Sequence, residues 1–210
     1  MSNNTVSRRG FIGSGAAVAA SGLVAASAAD KRPTAAQSEG PFYPTHKALD
    51  KDGDMTVVKG KPGTATGDVL VLSGHVLDTD GNPVEGAVVD IWQADSKGRY
   101  LHDQAPETSP LDPAFQYWAQ LKTGADGSYS VKTIMPAQYA AIEDWVRPPH
   151  IHFKVARRGM HELTTQMYFE GHELNEQDRL FMGAPEDARH TLLVAPKDGK
   201  ATFDLVLRKV

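Results

Sequence analysis

The 210-residue chain has no cysteine, which excludes disulfides, thiolate metal ligands and a cysteine nucleophile. Any metal must be held by nitrogen and oxygen donors, and soft, sulfur-rich centres fall away. The core must also hold the fold without covalent staples. An excess of positive charge is missing too: 22 Lys and Arg stand against 26 Asp and Glu, for a net charge of −4. That balance carries no nucleic-acid footprint. Long segments of helical periodicity, internal repeats and low-complexity tracts are likewise absent, which excludes solenoids and coiled coils.

What is present begins at the N-terminus. Ser7-Arg8-Arg9-Gly10-Phe11-Ile12 precedes an Ala/Gly-rich apolar stretch from Ile12 to Ala26, closed by Ala26-Ser27-Ala28. The stretch is too short and too rich in small residues for a convincing membrane span, and its end is a small-residue cleavage pattern. Paired arginines ahead of it read as a twin-arginine export signal over residues 1–28; an ordinary secretory signal or a retained anchor are the alternatives. The expected location is periplasmic or secreted, and loss of Arg8 and Arg9 takes the net charge to −6. Residues 29–67 are Pro-, Gly- and Lys-rich and read as an irregular arm. Within it Glu39-Gly40-Pro41-Phe42-Tyr43-Pro44 is too aromatic for a linker and is expected to pack on the core.

Residues 68–210 read as an all-β domain, an antiparallel β-sandwich with long loops. Val69 to Leu77 is β-rich and runs into Asp80-Gly81-Asn82-Pro83, a strong turn signal. Ala87 to Trp92 returns, and Ala125-Asp126-Gly127-Ser128 joins Tyr117–Leu121 to Tyr129–Ile134. Further strands are expected at 151–155, 163–169, 191–194 and 202–207. Only Glu176 to Met182 hints at a helical turn. Short strands with frequent turns favour a sandwich.

The most pointed stretch is Arg147-Pro148-Pro149-His150-Ile151-His152-Phe153. On a strand, i and i+2 share a face, so His150 and His152 can offer two imidazoles to one ion while Ile151 and Phe153 face the apolar side. The plainer reading is two polar residues on a solvated face. No carboxylate follows in Phe153-Lys154-Val155-Ala156-Arg157, as a cupin-type site would want. A zinc site needs further His or carboxylate ligands. His161, His172 and His190 have no motif to recommend them, and His46, His75 and His102 read as surface or packing residues. Tyr100 and Tyr139 each follow a strand, in loops where sites are commonly built; taken singly, each reads more readily as a packing aromatic.

Taken in order, these residues resemble the intradiol ring-cleavage dioxygenases, most closely the iron-binding, beta-type subunit of the protocatechuate 3,4-dioxygenases. The resemblance is carried by Gly74-His75-Val76-Leu77-Asp78, Gly81-Asn82-Pro83-Val84, Trp92-Gln93-Ala94, Gly98-Arg99-Tyr100, Leu111-Asp112-Pro113, Arg147 to Phe153, Thr164-Thr165-Gln166 and Tyr168-Phe169-Glu170-Gly171. Glu39 to Tyr43 looks like the family's N-terminal segment. The resemblance implies Fe(III) held by Tyr100, Tyr139, His150 and His152, with Tyr100 and His150 equatorial and Tyr139 and His152 axial. It further implies that the catechol displaces Tyr139 and that dioxygen opens the ring between the hydroxylated carbons, giving cis,cis-muconate-type diacids. Arg147 would stabilise negative charge on the ring, and Gln166 would stand behind the substrate or His150. Expected partners are a catechol-type small molecule and dioxygen, with neither nucleic acid nor stable membrane association; self-association is compatible with the sequence. The chain departs from the family where the stretch from Tyr139 to Arg147 is short and Ala137-Gln138 precedes the tyrosine. It also lacks the long helical N-terminal region of catechol 1,2-dioxygenases.

Two other readings stand beside this one. Gly74 to Ile91 also resembles transthyretin-like sandwich modules, which bind without a catalytic metal. A metal-free partner subunit would keep the dioxygenase fold and lose the activity, although all four candidate ligand positions are intact here.

Overall fold

The computed structural model describes Met1 and residues 32–45, 50–142 and 144–210. The expected export signal and His46 lie outside the described residues. Among those described, no helix is long and apolar enough to cross a membrane.

Two sheets face each other across one core. The first is built on β1 (Val69–Asp78), whose burial alternates: Leu70, Leu72 and Val76 point inward while Ser73 and His75 point out. That period of two fixes the register, because a one-residue slip would exchange the two faces. The second sheet runs β3 (Trp118–Lys122), β2 (Val88–Trp92), β7 (His150–Ala156), β8 (Leu163–Phe169) and β9 (Leu193–Val194). Val89, Ile91, Ile151, Phe153, Val155 and Met167 meet the β1 residues in the main core. β4 (Ser128–Ile134) pairs antiparallel with one edge of β1. Along the other edge lie β10 (Lys200–Thr202) and β11 (Leu205–Leu207).

The all-β sandwich agrees with the sequence expectation, with three differences in detail. The strand expected at 202–207 is split: β10 and β11 keep the same offset against β1 but are interrupted at Phe203 and Asp204. Gly74 opposes the interruption, and a Cβ there would collide with the Phe203 carbonyl. β1 pairs with β10 and β11 in parallel, and β8 with β9 likewise, so the sheets are mixed. Of 191–194 only Leu193 and Val194 form a strand; Thr191 and Leu192 end a 3-10 helix over Glu186–Leu192. The expected helical turn exists as a 3-10 turn at Asn175–Gln177 followed by α1 (Arg179–Gly183).

The second sheet is buried on both faces. Its outer face carries Trp92, His150, His152, Gln166 and Tyr168, all buried. The arm covers them: Gln37 N–H donates to the Thr164 carbonyl (2.8 Å) and Thr165 Oγ1 to the Ala35 carbonyl (2.7 Å). Phe42 lies against Tyr100 and Tyr43 against Trp92, so the aromatic piece of the arm packs as its composition predicts.

Candidate active site

Strand pairing sets out the floor of the site. Trp92 pairs with His152 and His152 with Gln166, which makes one row across β2, β7 and β8; in the next row His150 pairs with Tyr168. All five share one face because they occupy alternate positions. The Trp92 and His152 rings stack at 4.7 Å and 11°. Tyr43 meets Trp92 edge-on at 5.0 Å. The His152 imidazole is thereby fixed by its flat neighbour, while the Pro148 carbonyl fixes His150 by accepting from Nδ1 at 2.7 Å. With its hydrogen on Nδ1, His150 turns the lone pair of Nε2 inward.

Tyr100 arrives on the loop after β2. Gln93, buried, donates to the Ile134 carbonyl and accepts from Thr133 Oγ1, which ties the start of this loop to β4. The Asp95 carboxylate accepts from the Lys97 and Arg99 N–H groups and from Tyr117 Oη, shaping the turn that ends at Tyr100. Tyr100 Oη then lies 3.2 Å from His150 Nε2 and 3.1 Å from His152 Nε2. Tyr139 opens β5 (Tyr139–Ile142), which pairs with β6 (Trp145–Arg147) in a hairpin. Its ring stands edge-on to Tyr100 at 5.4 Å and 82°, and 5.7 Å from the His150 ring. The sequence placed Tyr139 in a loop past a strand, but it begins a strand. The four residues singled out are brought together, whereas His75, His102, His161, His172 and His190 stand outside this constellation. His75 pairs instead with Asp204 (3.4 Å).

Arg147 closes the cluster. It is 3% exposed, and its Nη1 lies 3.0 Å from His150 Nε2. Its Nε donates to Asp178 Oδ2 (2.9 Å), and its Nη2 to Gln166 Oε1 (2.8 Å) and Tyr168 Oη (2.9 Å). Gln166 in turn donates to the Ser38 carbonyl, and Tyr168 to Gln37 Oε1, so the arm holds the arginine's partners. Asp178 and Tyr168 were not among the sequence candidates. An aspartate before a short helix reads as a cap, and nothing local signals that its second oxygen meets Arg147.

Burial dominates the electrostatics of the centre. Burial, then the Arg147 guanidinium, hold both imidazoles well below the usual histidine range, so both are neutral near pH 7. Burial, then the neighbouring Tyr139, push the Tyr100 phenol well up; burial also raises Tyr139, against the pull of Arg147. The imidazoles thus offer lone pairs, while the phenols keep their protons unless a bound cation displaces them. Tyr100 Oη lies close enough to both imidazole nitrogens, at 3.2 and 3.1 Å, for the three atoms to share one ion. Among the described residues no three His, Cys, Asp or Glu side chains group as a metal site would, so an ion here would have to draw on the phenols.

The family model described as Dioxygenase matches residues 38–208. The chain is 38% identical over 180 residues to the protocatechuate 3,4-dioxygenase beta chain of Burkholderia cepacia, covering 80% of this chain and 76% of that one. The chain belongs to the intradiol ring-cleavage dioxygenases. It is 37% identical over 125 residues to a chlorocatechol 1,2-dioxygenase of Pseudomonas sp. (strain P51), covering 52% of this chain but only 47% of that relative, about half its length. Among solved structures, the dioxygenase domain of a dioxygenase–carbohydrate-binding fusion from Streptomyces sp. SirexAA-E superposes with a TM-score of 0.61 at 31% identity. That match covers 85% of this chain and 100% of that one. The transthyretin-like module is thereby set aside as a reading of this intradiol dioxygenase.

Proposed function

We propose that this intradiol dioxygenase uses Fe(III), held by Tyr100, Tyr139, His150 and His152, to cleave catechol-type rings of the protocatechuate or catechol class with dioxygen. The product is a cis,cis-muconate-type diacid. The observation that carries the reading is the approach of Tyr100 Oη to both imidazole Nε2 atoms, at 3.2 and 3.1 Å, with Arg147 Nη1 beside them. Two phenolic oxygens and two imidazole nitrogens suit a hard, ferric ion better than any softer one. When bound, the iron draws electron density from the catecholate and opens the ring to dioxygen.

The chain's own residues supply binding, orientation and charge control. Tyr100 and both histidines are buried and locked by stacking and hydrogen bonds, whereas Tyr139 is half-buried on a two-stranded hairpin. With iron bound, Tyr139 would be the donor best placed to yield to an incoming diol, and its oxygen could then accept one of the two phenolic protons. Arg147 Nη1 faces the same space with its positive charge held by Asp178, ready for the negative charge that builds on the ring. Gln166 orients Arg147 through Oε1. The Phe42, Trp92 and Tyr100 side chains pack into one apolar cluster beside the centre.

We also propose that residues 1–28 direct export to the periplasm or beyond, on the strength of Arg8-Arg9 ahead of the apolar stretch. The test of the activity is oxygen uptake against a panel of catechols with product identification, on protein assayed for iron and colour. A red-brown, iron-bearing enzyme yielding muconate-type acids is expected. Folded protein that stays colourless when supplied with iron, or an extradiol semialdehyde product, would overturn the reading.

A further inference from the structure

Asp178 is the buried acid behind Arg147. It is fully buried and serves both α1 and Arg147. Oδ1 accepts from the Leu180 and Phe181 N–H groups at 2.9 and 2.8 Å, capping α1. Oδ2 accepts from Arg147 Nε at 2.9 Å. Around the guanidinium, Nε is taken by Asp178, and Nη2 is shared among Gln166, Tyr168 and, at 3.3 Å, Asp178 Oδ1. Only Nη1 is left to face the Tyr100–His150–His152 centre. A guanidinium is planar and rigid, so anchoring one edge fixes where the other edge points.

We infer that Asp178 is a positioning residue for ring cleavage: through Oδ2 it holds the Arg147 guanidinium turned so that Nη1 meets the negative charge on the substrate. The inference rests on the role given to Arg147 under the proposed function. Gln166 and Tyr168 are neutral and grip the same Nη2, so they set the tilt. Asp178 is the partner that supplies the counter-charge at the opposite, Nε corner. α1 is what brings it there, with the cap and the clamp built from one side chain.

The two tasks of Asp178 separate by substitution. Asp178→Asn keeps a carbonyl for the α1 cap but puts an NH2 group against Arg147 Nε–H. Asp178→Ser keeps a hydroxyl cap and removes the clamp. Both variants are expected to fold, retain iron and the tyrosinate colour, and lose about 10- to 100-fold in kcat, with the KM for the catechol changed less than kcat. Combined with Arg147→Ala, Asp178→Asn should add no more than about threefold to the loss, because both act through one guanidinium. Wild-type kcat in Asp178→Asn, or losses that multiply in the double variant, would overturn the inference. So would failure of both variants to fold, which would assign Asp178 to the fold alone. Full turnover in Arg147→Ala would instead strike the role of Arg147 itself, so the two failures are distinguishable.

Discussion

A histidine pair separated by one residue is ambiguous until its neighbours are known, and the neighbours here are particular. Ile151 and Phe153 are fully buried in the core, which turns His150 and His152 to the opposite face, where Trp92 and the Pro148 carbonyl aim them. Tyr100 Oη lies 3.2 and 3.1 Å from the two imidazole Nε2 atoms, so under the proposed function each of the three is required. Tyr100→Phe or His150→Ala should abolish both the visible absorption and turnover; a coloured, active Tyr100→Phe enzyme would remove the phenolate from the centre. Arg147→Ala should keep the colour and slow ring opening by about 10²–10³-fold, read as kcat on the preferred catechol. At this scale the sequence revealed what alternation and motif order can carry: both histidines, both tyrosines, Arg147 and Gln166. It concealed Asp178 and Tyr168, whose roles depend on contacts across 31 and 21 residues that leave no local pattern.

Elements were legible where hydrophobic alternation and turn chemistry agreed. β1, β2, β4, β7 and β8 stand within about a residue of their expected bounds, because Asp-Gly-Asn-Pro and Asp-Gly-Ser turns and period-two burial point the same way. The β5–β6 hairpin was not legible: its four- and three-residue strands are half-exposed and carry no alternating core face. What positions Tyr139 is contact with the preceding loop. Gly98 sits at φ +80°, and a Cβ there would lie 2.5 Å from the Gln138 carbonyl oxygen and 3.1 Å from Tyr139 Cβ. Gly98→Ala should therefore cost about 1–2 kcal/mol for the left-handed backbone and push β5 away from Tyr100. The expected readouts are a lower urea midpoint and a shifted tyrosinate absorption band. An unchanged midpoint and spectrum would show that the loop and hairpin adjust freely.

Across the whole molecule, a cysteine-free sandwich closes itself by side-chain ties between distant segments. The arm meets β8 and holds the partners of Arg147, so the outer face of the second sheet is finished by Ala35, Gln37 and Ser38. Sequence reasoning saw the arm's aromatics but not these ties, because a backbone carbonyl such as that of Ser38 has no signature. At the other end, Asp78 terminates β1 beside Leu207 of β11. Its carboxylate accepts from the Asp80 and Asn82 N–H groups and pairs with Lys209 at 2.9 Å. Burial alone would raise this carboxyl, but Lys209 and the Asn82 and Asp80 N–H groups outweigh it and hold it well below the usual carboxylate range. A carboxyl whose folded-state pKa is depressed binds its proton more readily in the unfolded chain. Its contribution is therefore present above the unfolded value of ~3.9 and lost as pH falls through the lower folded value. Asp78→Asn should lower the unfolding free energy at pH 7 by about 1–2 kcal/mol, the scale of a charge-assisted hydrogen bond. The gap from wild type should narrow on titration below pH 4, measured by urea denaturation at each pH. A gap that stayed constant down to pH 2 would mean that the Asp78 charge contributes nothing, and that the β1–C-terminus junction is held by its backbone pairing alone.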